Sequence, residues 1–229
     1  MNERELSGLY PFLHGEAADP GQIDAALLGS IADKARASRE ASARFFEEQA
    51  PVLLGAARAL AEVFRRGGRL LTMGNGGSSC DAAHVAVEFL HPVTAGRPAL
   101  PAINLAADVA MLSAVGNDLG FEHAFVRQLL AHGRAGDALL GVSTSGSSPN
   151  VVAAFARARE MGLVTIGLAG GDGGKMLSSR TVDHCLVVGT SSIHRVQECH
   201  VAAYHILWDL VHTLLAGDRG AATTARGER

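Results

Sequence analysis

The sequence predicts an α/β domain: a doubly wound, five-stranded, mostly parallel sheet flanked by helices and preceded by N-terminal helices. Three observations carry this reading. From residue 69 onward, short apolar runs alternate with segments of helical period. Ala, Gly, Val and Leu dominate, while only 5% of residues are aromatic, a balance suited to close packing of helices on a sheet. A chain of 229 residues that is 48% hydrophobic can bury one substantial core.

The elements follow in order. Residues 1–20 carry two prolines and several polar side chains and are expected to form an N-terminal extension. From Asp24 to Arg66 the pattern is helical, with Leu27, Leu28, Ile31, Phe45, Leu53, Leu60 and Phe64 at three- and four-residue steps. Pro51 is expected to break or kink it into two helices, and Gly67-Gly68 to stop it. Strands are expected at 69–73, 100–105, 137–142, 164–168 and 184–188, with helices at 80–91, 109–115, 121–132, 151–161 and 192–215. The helices and strands of residues 21–216 form the domain, and the polar tail 217–229 is expected to be disordered.

Composition excludes several classes. The net charge is −3 and the basic residues are scattered, so no nucleic-acid footprint is visible. No apolar stretch approaches the ~20 residues needed to span a bilayer, and the N-terminus lacks the basic start and apolar run of a signal peptide. Cys80, Cys185 and Cys199 are far apart and odd in number, which fits a reducing cytoplasm better than a disulfide framework. Ten histidines keep metal or proton chemistry open.

Two loops carry the functional signal. Ser143-Thr-Ser-Gly-Ser-Ser148 follows a strand and precedes a helix. Small residues let the backbone approach a ligand, hydroxyls donate hydrogen bonds, and a helix N-terminus favours an anion. The loop lacks the lysine of a nucleotide-binding P-loop. Gly74-Asn-Gly-Gly-Ser78 has the same placement after the first strand. Both fall at strand carboxyl ends, where ligands sit in open α/β sheets. An ordinary helix N-cap and an ordinary glycine turn are the plain alternatives.

His84 and Glu88 stand at i, i+4 on the helix after the first loop and so share a face. Their neighbours are apolar, and a carboxylate there is costly unless it is paired or metal-bound. The alternative is a structural His–Glu hydrogen bond. The last helix carries His194, Gln197, Glu198, His200, His205 and His212. Gln197 and His205 lie ~12 Å apart along a helix, so spacing alone pairs Gln197 with His200.

At these residues the sequence resembles the phosphoheptose isomerases of the sugar-phosphate isomerase (SIS) family. The resemblance covers roughly residues 55–215 and rests on GNGGSSCDAAHVAVE at 74–88, AVGNDLGF at 114–121, GDALLGVSTSGSSPNV at 136–151, GGDGGKM at 170–176 and RVQECHVAAYH at 195–205. It implies a single SIS domain and a homotetramer with active sites at subunit interfaces. It implies one Zn2+ per subunit held by His84, Glu88, Gln197 and His205, choosing His205 over His200. It implies sugar contacts from Asn75, Gly76, Gly77, Asn117 and Asp118, and phosphate contacts from Ser143, Thr144, Ser145 and Ser148, with Ser78 nearby. Glu88 and Gln197 would also face the substrate, and Glu88 and His205 are the candidate acid/base pair.

The implied activity is conversion of sedoheptulose 7-phosphate to an aldoheptose 7-phosphate through an enediol. Two positions depart from the family pattern: His194 stands where an Asp is usual before RxQE, and His91-Pro92-Val93 replaces an Arg-bearing stretch. They leave open an isomerase of another phosphosugar. A non-catalytic SIS scaffold is the other alternative, although such relatives lack the His/Glu and final His residues that are present here.

Overall fold

The computed structural model describes residues 20–217; the stretches 1–19 and 218–229, where the extension and the tail are expected, lie outside the described residues. By contacts the chain falls into two units, the first ending at Arg39 and the second running from Glu40. The described part of the first is helical, and its Leu27, Leu28 and Ile31 are exposed.

The expected break at Pro51 does not occur. Helix α1 spans Pro20–Arg65, with Pro51 inside it. A proline in a helix interior forfeits one backbone bond and costs ~3 kcal/mol. Ala41 and Phe45 before it, and Leu53, Ala56, Ala57, Leu60 and Phe64 after it, all enter one buried cluster. Each large side chain so buried contributes ~1.5–3 kcal/mol, so packing on both sides outweighs the lost bond. Pro51 itself points to solvent.

The remaining elements alternate: β1 Leu70–Gly74, α2 Gly77–Leu90, β2 Ala102–Asn104, α3 Val109–Asp118, a 3-10 turn Phe121–His123 running into α4 Ala124–His132, β3 Ala138–Ser143, α5 Pro149–Glu160, β4 Val164–Gly170, α6 Gly174–Ser178, β5 His184–Val188 and α7 Ile193–Gly217. The five strands form one sheet of order β2-β1-β3-β4-β5, and every pairing is parallel. The short helix α6, absent from the sequence reading, occupies the glycine-rich stretch between β4 and β5.

Alternation along the strands builds two core layers, because successive side chains point to opposite faces. Leu70, Leu140, Val142, Ile166 and Leu168 join α1, α2 and α7 on one face. Leu71, Met73, Leu139 and Ala169 join α4 and α5 on the other. The long helix α7 is apolar over more than one face because it is largely absorbed by its own core: Val196, Cys199, Ala203, Tyr204, Leu207, Trp208 and Val211 are buried. No helix among the described residues is long and apolar enough to cross a membrane.

Candidate active site and metal centre

Order 2-1-3-4-5 places the switch point between β1 and β3, which leave the sheet into the two loops singled out above. Gly76 caps α2 with φ 53°, a left-handed conformation that glycine adopts without strain. At Gly74 a Cβ would stand 2.2 Å from the Ser78 carbonyl oxygen, so only glycine fits this turn. Thr72 Oγ1 donates to the Ala82 carbonyl (2.8 Å) and pins the start of α2 to β1. Ser78 is buried in the first turn of α2.

The two loops are clamped together. The amides of Asn75 and Asn150 donate to each other's carbonyl oxygens, both at 2.8 Å. Asn150 is buried and was not singled out from the sequence. Asn75, expected to touch sugar, thus spends half of its hydrogen-bonding capacity on the second loop and keeps one N–H and one lone pair.

In the serine loop, Ser143 Oγ lies 3.0 Å from Ser148 Oγ and 3.4 Å from Ser145 Oγ. Ser143 is buried, Thr144 and Ser148 are half-buried and Ser145 is exposed. Gly146 turns the loop with φ 60°, and a Cβ there would meet the Gly173 carbonyl at 2.2 Å. Three hydroxyls therefore converge at the start of α5. An open cleft of about 240 Å³ adjoins Ser145, lined also by Thr144, Gly170, Gly171, Asp172 and Thr190.

Helices α2 and α7 bring His84, Glu88 and His205 together, with one donor atom from each lying within 4.8 Å of the others. His84 Nε2 is 3.1 Å from Glu88 Oε1. The rings of His84 and His205 meet edge to face at 5.0 Å. Two imidazoles and a carboxylate are the donor set of an open catalytic zinc site. The three donor atoms are close enough that modest side-chain shifts would bring them onto one ion. Gln197 approaches from α7: its Nε2 would be 2.5 Å from a Cβ on Gly77, which places the amide against the first loop.

His200, the partner that spacing alone preferred for Gln197, is not part of this group. It is fully buried on the sheet side of α7, its Nε2 3.1 Å from the Ala169 carbonyl, and burial lowers its pKa to about 4 despite that bond. Asn117 and Asp118 sit exposed at the end of α3, where the Asn117 amide donates to the Asp118 carboxylate (2.7 Å). The family departures also fall on the surface: His194 is exposed in the first turn of α7, as are His91 and Val93 after α2.

Two side chains besides Asn150 join this site without being expected from the sequence. Tyr204 places its hydroxyl 3.0 Å from His84 Nδ1, and burial, with Asp81 and Glu88 adding, pushes its pKa up to about 12. Trp208 Nε1 donates to the Glu88 carbonyl at 2.8 Å, with the Arg97 guanidinium 4.2 Å above its ring. The available signal is that the chain's one Trp and one of its two Tyr lie on the histidine-bearing helix. Asp81, one turn before His84, has a raised pKa because of burial, partly offset by His84.

A parallel sheet of this order, with two glycine- and serine-rich loops at its switch point, defines a doubly wound α/β domain whose ligand site lies at the strand carboxyl ends. The chain belongs to the SIS-domain family, whose profile matches residues 35–170. Within that family it is similar to phosphoheptose isomerases. The protein of that name from Roseiflexus sp. is 42% identical over 81% of this chain and 93% of its own length. That from Chlorobaculum parvum is 47% identical over 72% and 79%. The solved structure of a phosphoheptose isomerase from Francisella tularensis superposes with a TM-score of 0.77 at 34% identity, covering 81% of this chain and 97% of that one. The enzyme from Neisseria gonorrhoeae gives 0.75 at 35% identity, covering 81% and 98%.

Proposed function

We infer that this chain is an aldose–ketose isomerase converting sedoheptulose 7-phosphate to D-glycero-D-manno-heptose 7-phosphate through an enediol. The observation that carries the reading is the meeting of His84, Glu88 and His205, in a chain that matches a phosphoheptose isomerase over 93% of that protein's length. The Ser143, Ser145 and Ser148 hydroxyls and the start of α5 receive the phosphate, with Thr144 and Ser78 beside them. Asn75, Gly76, Gly77 and Gln197 line the sugar, and Asn117 and Asp118 complete the contacts.

Isomerisation needs a base at C1–H and a proton donor at the C2 carbonyl. Glu88 Oε1 faces His84, which leaves Oε2 to take the C1 proton and return it at C2. His205 carries the proton that leaves O1 and arrives at O2, using the ring nitrogen not turned to the cluster. His84, Glu88, Gln197 and His205 would hold zinc, which would stabilise negative charge developing on the substrate oxygen.

Assembly as a homotetramer with shared sites is supported by apolar surface on both site helices: Val87 and Leu90 on α2 and Ile206 on α7 are exposed. Three free cysteines, two of them buried, suit a cytoplasmic setting. Incubating the pure protein with sedoheptulose 7-phosphate tests the activity. An aldoheptose 7-phosphate should form, and Glu88→Gln should abolish it. No product from the intact, metal-supplied protein would remove the assignment.

A further inference from the structure

We propose that Tyr204 is a positioning residue that holds the His84 ring in both of its hydrogen-bonding states, donating to Nδ1 in the metal-free site and accepting from Nδ1–H when Nε2 binds a cation. The second half rests on the zinc reading above; the first does not.

Both nitrogens of His84 are engaged. Nε2 faces Glu88 Oε1 at 3.1 Å and Nδ1 faces the Tyr204 hydroxyl at 3.0 Å. A neutral imidazole carries one N–H, and its position is set by its partners. Glu88 as a carboxylate can only accept, so without a cation the proton belongs on Nε2. Nδ1 is then a lone pair, and Tyr204 must donate to it. With a cation at Nε2 the roles reverse: the proton must sit on Nδ1, and Tyr204 must accept. A carbonyl or carboxylate in the place of Tyr204 could serve only the second state. A hydroxyl serves both, because it is donor and acceptor at once.

Packing fixes this hydroxyl in place. Tyr204 is 2% exposed, its ring meets His84 edge to face at 5.3 Å, and it lies against His205 at 4.7 Å. It thus touches two of the three clustered side chains and can change its proton's direction without moving its ring. Hydrogen-bond partners of metal-bound histidines typically govern affinity by 10- to 100-fold.

Imidazole nitrogen NMR on histidine-labelled full-length protein tests this, with the His84 signals assigned by their loss in His84→Asn. In the metal-free protein His84 should carry its proton on Nε2, and Tyr204→Phe should shift the Nδ1 resonance as its donor disappears. Zinc should move the proton to Nδ1. Chelator competition should show zinc bound ~10- to 100-fold more weakly by Tyr204→Phe. A proton on Nδ1 in the metal-free protein, an Nδ1 resonance indifferent to the substitution, or unchanged zinc affinity would overturn the proposal. Absence of zinc binding by the unsubstituted protein, with the metal-free signals as described, would support the Tyr204–His84 bond and remove the zinc reading alone.

Discussion

Ser143 and Ser148 share a 3.0 Å contact that either hydroxyl can donate. Neither oxygen needs the other once a phosphate is present, so the pair is poised to turn toward an anion. A hydrogen bond to a charged group contributes ~1.5–3 kcal/mol, so replacing both by Ala should weaken sugar-phosphate binding by about 10²- to 10⁴-fold. Calorimetry with a sugar phosphate measures this, and unchanged affinity would return the loop to a plain helix cap. A second residue-scale expectation concerns acid stability. Burial lowers the pKa of His200 to about 4; burial, with Arg97 adding and Asp209 opposing, does the same for His212. The unfolded value is ~6.5, so between these values the unfolded chain binds more protons and stability rises with pH. The contribution is complete above pH ~6.5 and is lost as pH falls toward 4. His212 stands between Phe89 and Trp208, and neither of its ring nitrogens is hydrogen-bonded among the described residues. His212→Leu should therefore flatten the decline of the urea midpoint between pH 6.5 and 4. An equally steep decline would show that His212 is not responsible.

At the scale of elements, the two site helices owe their positions to different devices. Helix α2 is set by its first turns, through Gly74, Gly76 and the Thr72 bond to Ala82. Helix α7 is set along its length by buried side chains and by His200 on the Ala169 carbonyl. Trp208 joins the two where α2 ends, holding the Glu88 backbone. Helix α1 carries its own test. Pro51→Ala restores an N–H for the Glu47 carbonyl at an exposed position and removes a residue that costs up to ~3 kcal/mol in a helix. Heating should show a Tm raised by several degrees, since ~1 kcal/mol moves a domain of this size by ~2–4 °C. A lower Tm would mean that Pro51 fixes a bend the packing requires.

For the whole molecule, the expectation is a tetramer whose turnover depends on metal. Light scattering at micromolar concentration should give a tetrameric mass, and a stable monomer would remove the shared-site arrangement. Treatment with a chelator should abolish isomerisation and zinc should restore it. Because an imidazole must be deprotonated to bind a cation, occupancy should fall as the solution is acidified. Full turnover by metal-free enzyme would leave Glu88 and His205 as a bare acid/base pair. His200→Ala, on the sheet side of α7, should retain zinc.

The sequence by itself determined the alternation of strands and helices, both small-residue loops, and the His84–Glu88 pair. Each is written within a few consecutive residues, as a period, a glycine that must turn, or an i, i+4 step on one face. What residue spacing could not decide, and only the family resemblance pointed to, was which side of α7 meets α2. His200 and His205 are separated by ~140° around a helix at ~100° per residue, and both directions carry apolar side chains. Only the burial of Cys199, His200, Ala203 and Leu207 turned His200 to the sheet and left His205 facing His84. Tertiary packing likewise kept α1 unbroken across Pro51, joined Asn75 to Asn150, and set Tyr204 on His84. These partners lie 75 and 120 positions apart in the chain, so no local pattern announces them, and only the fold brings their polar atoms together.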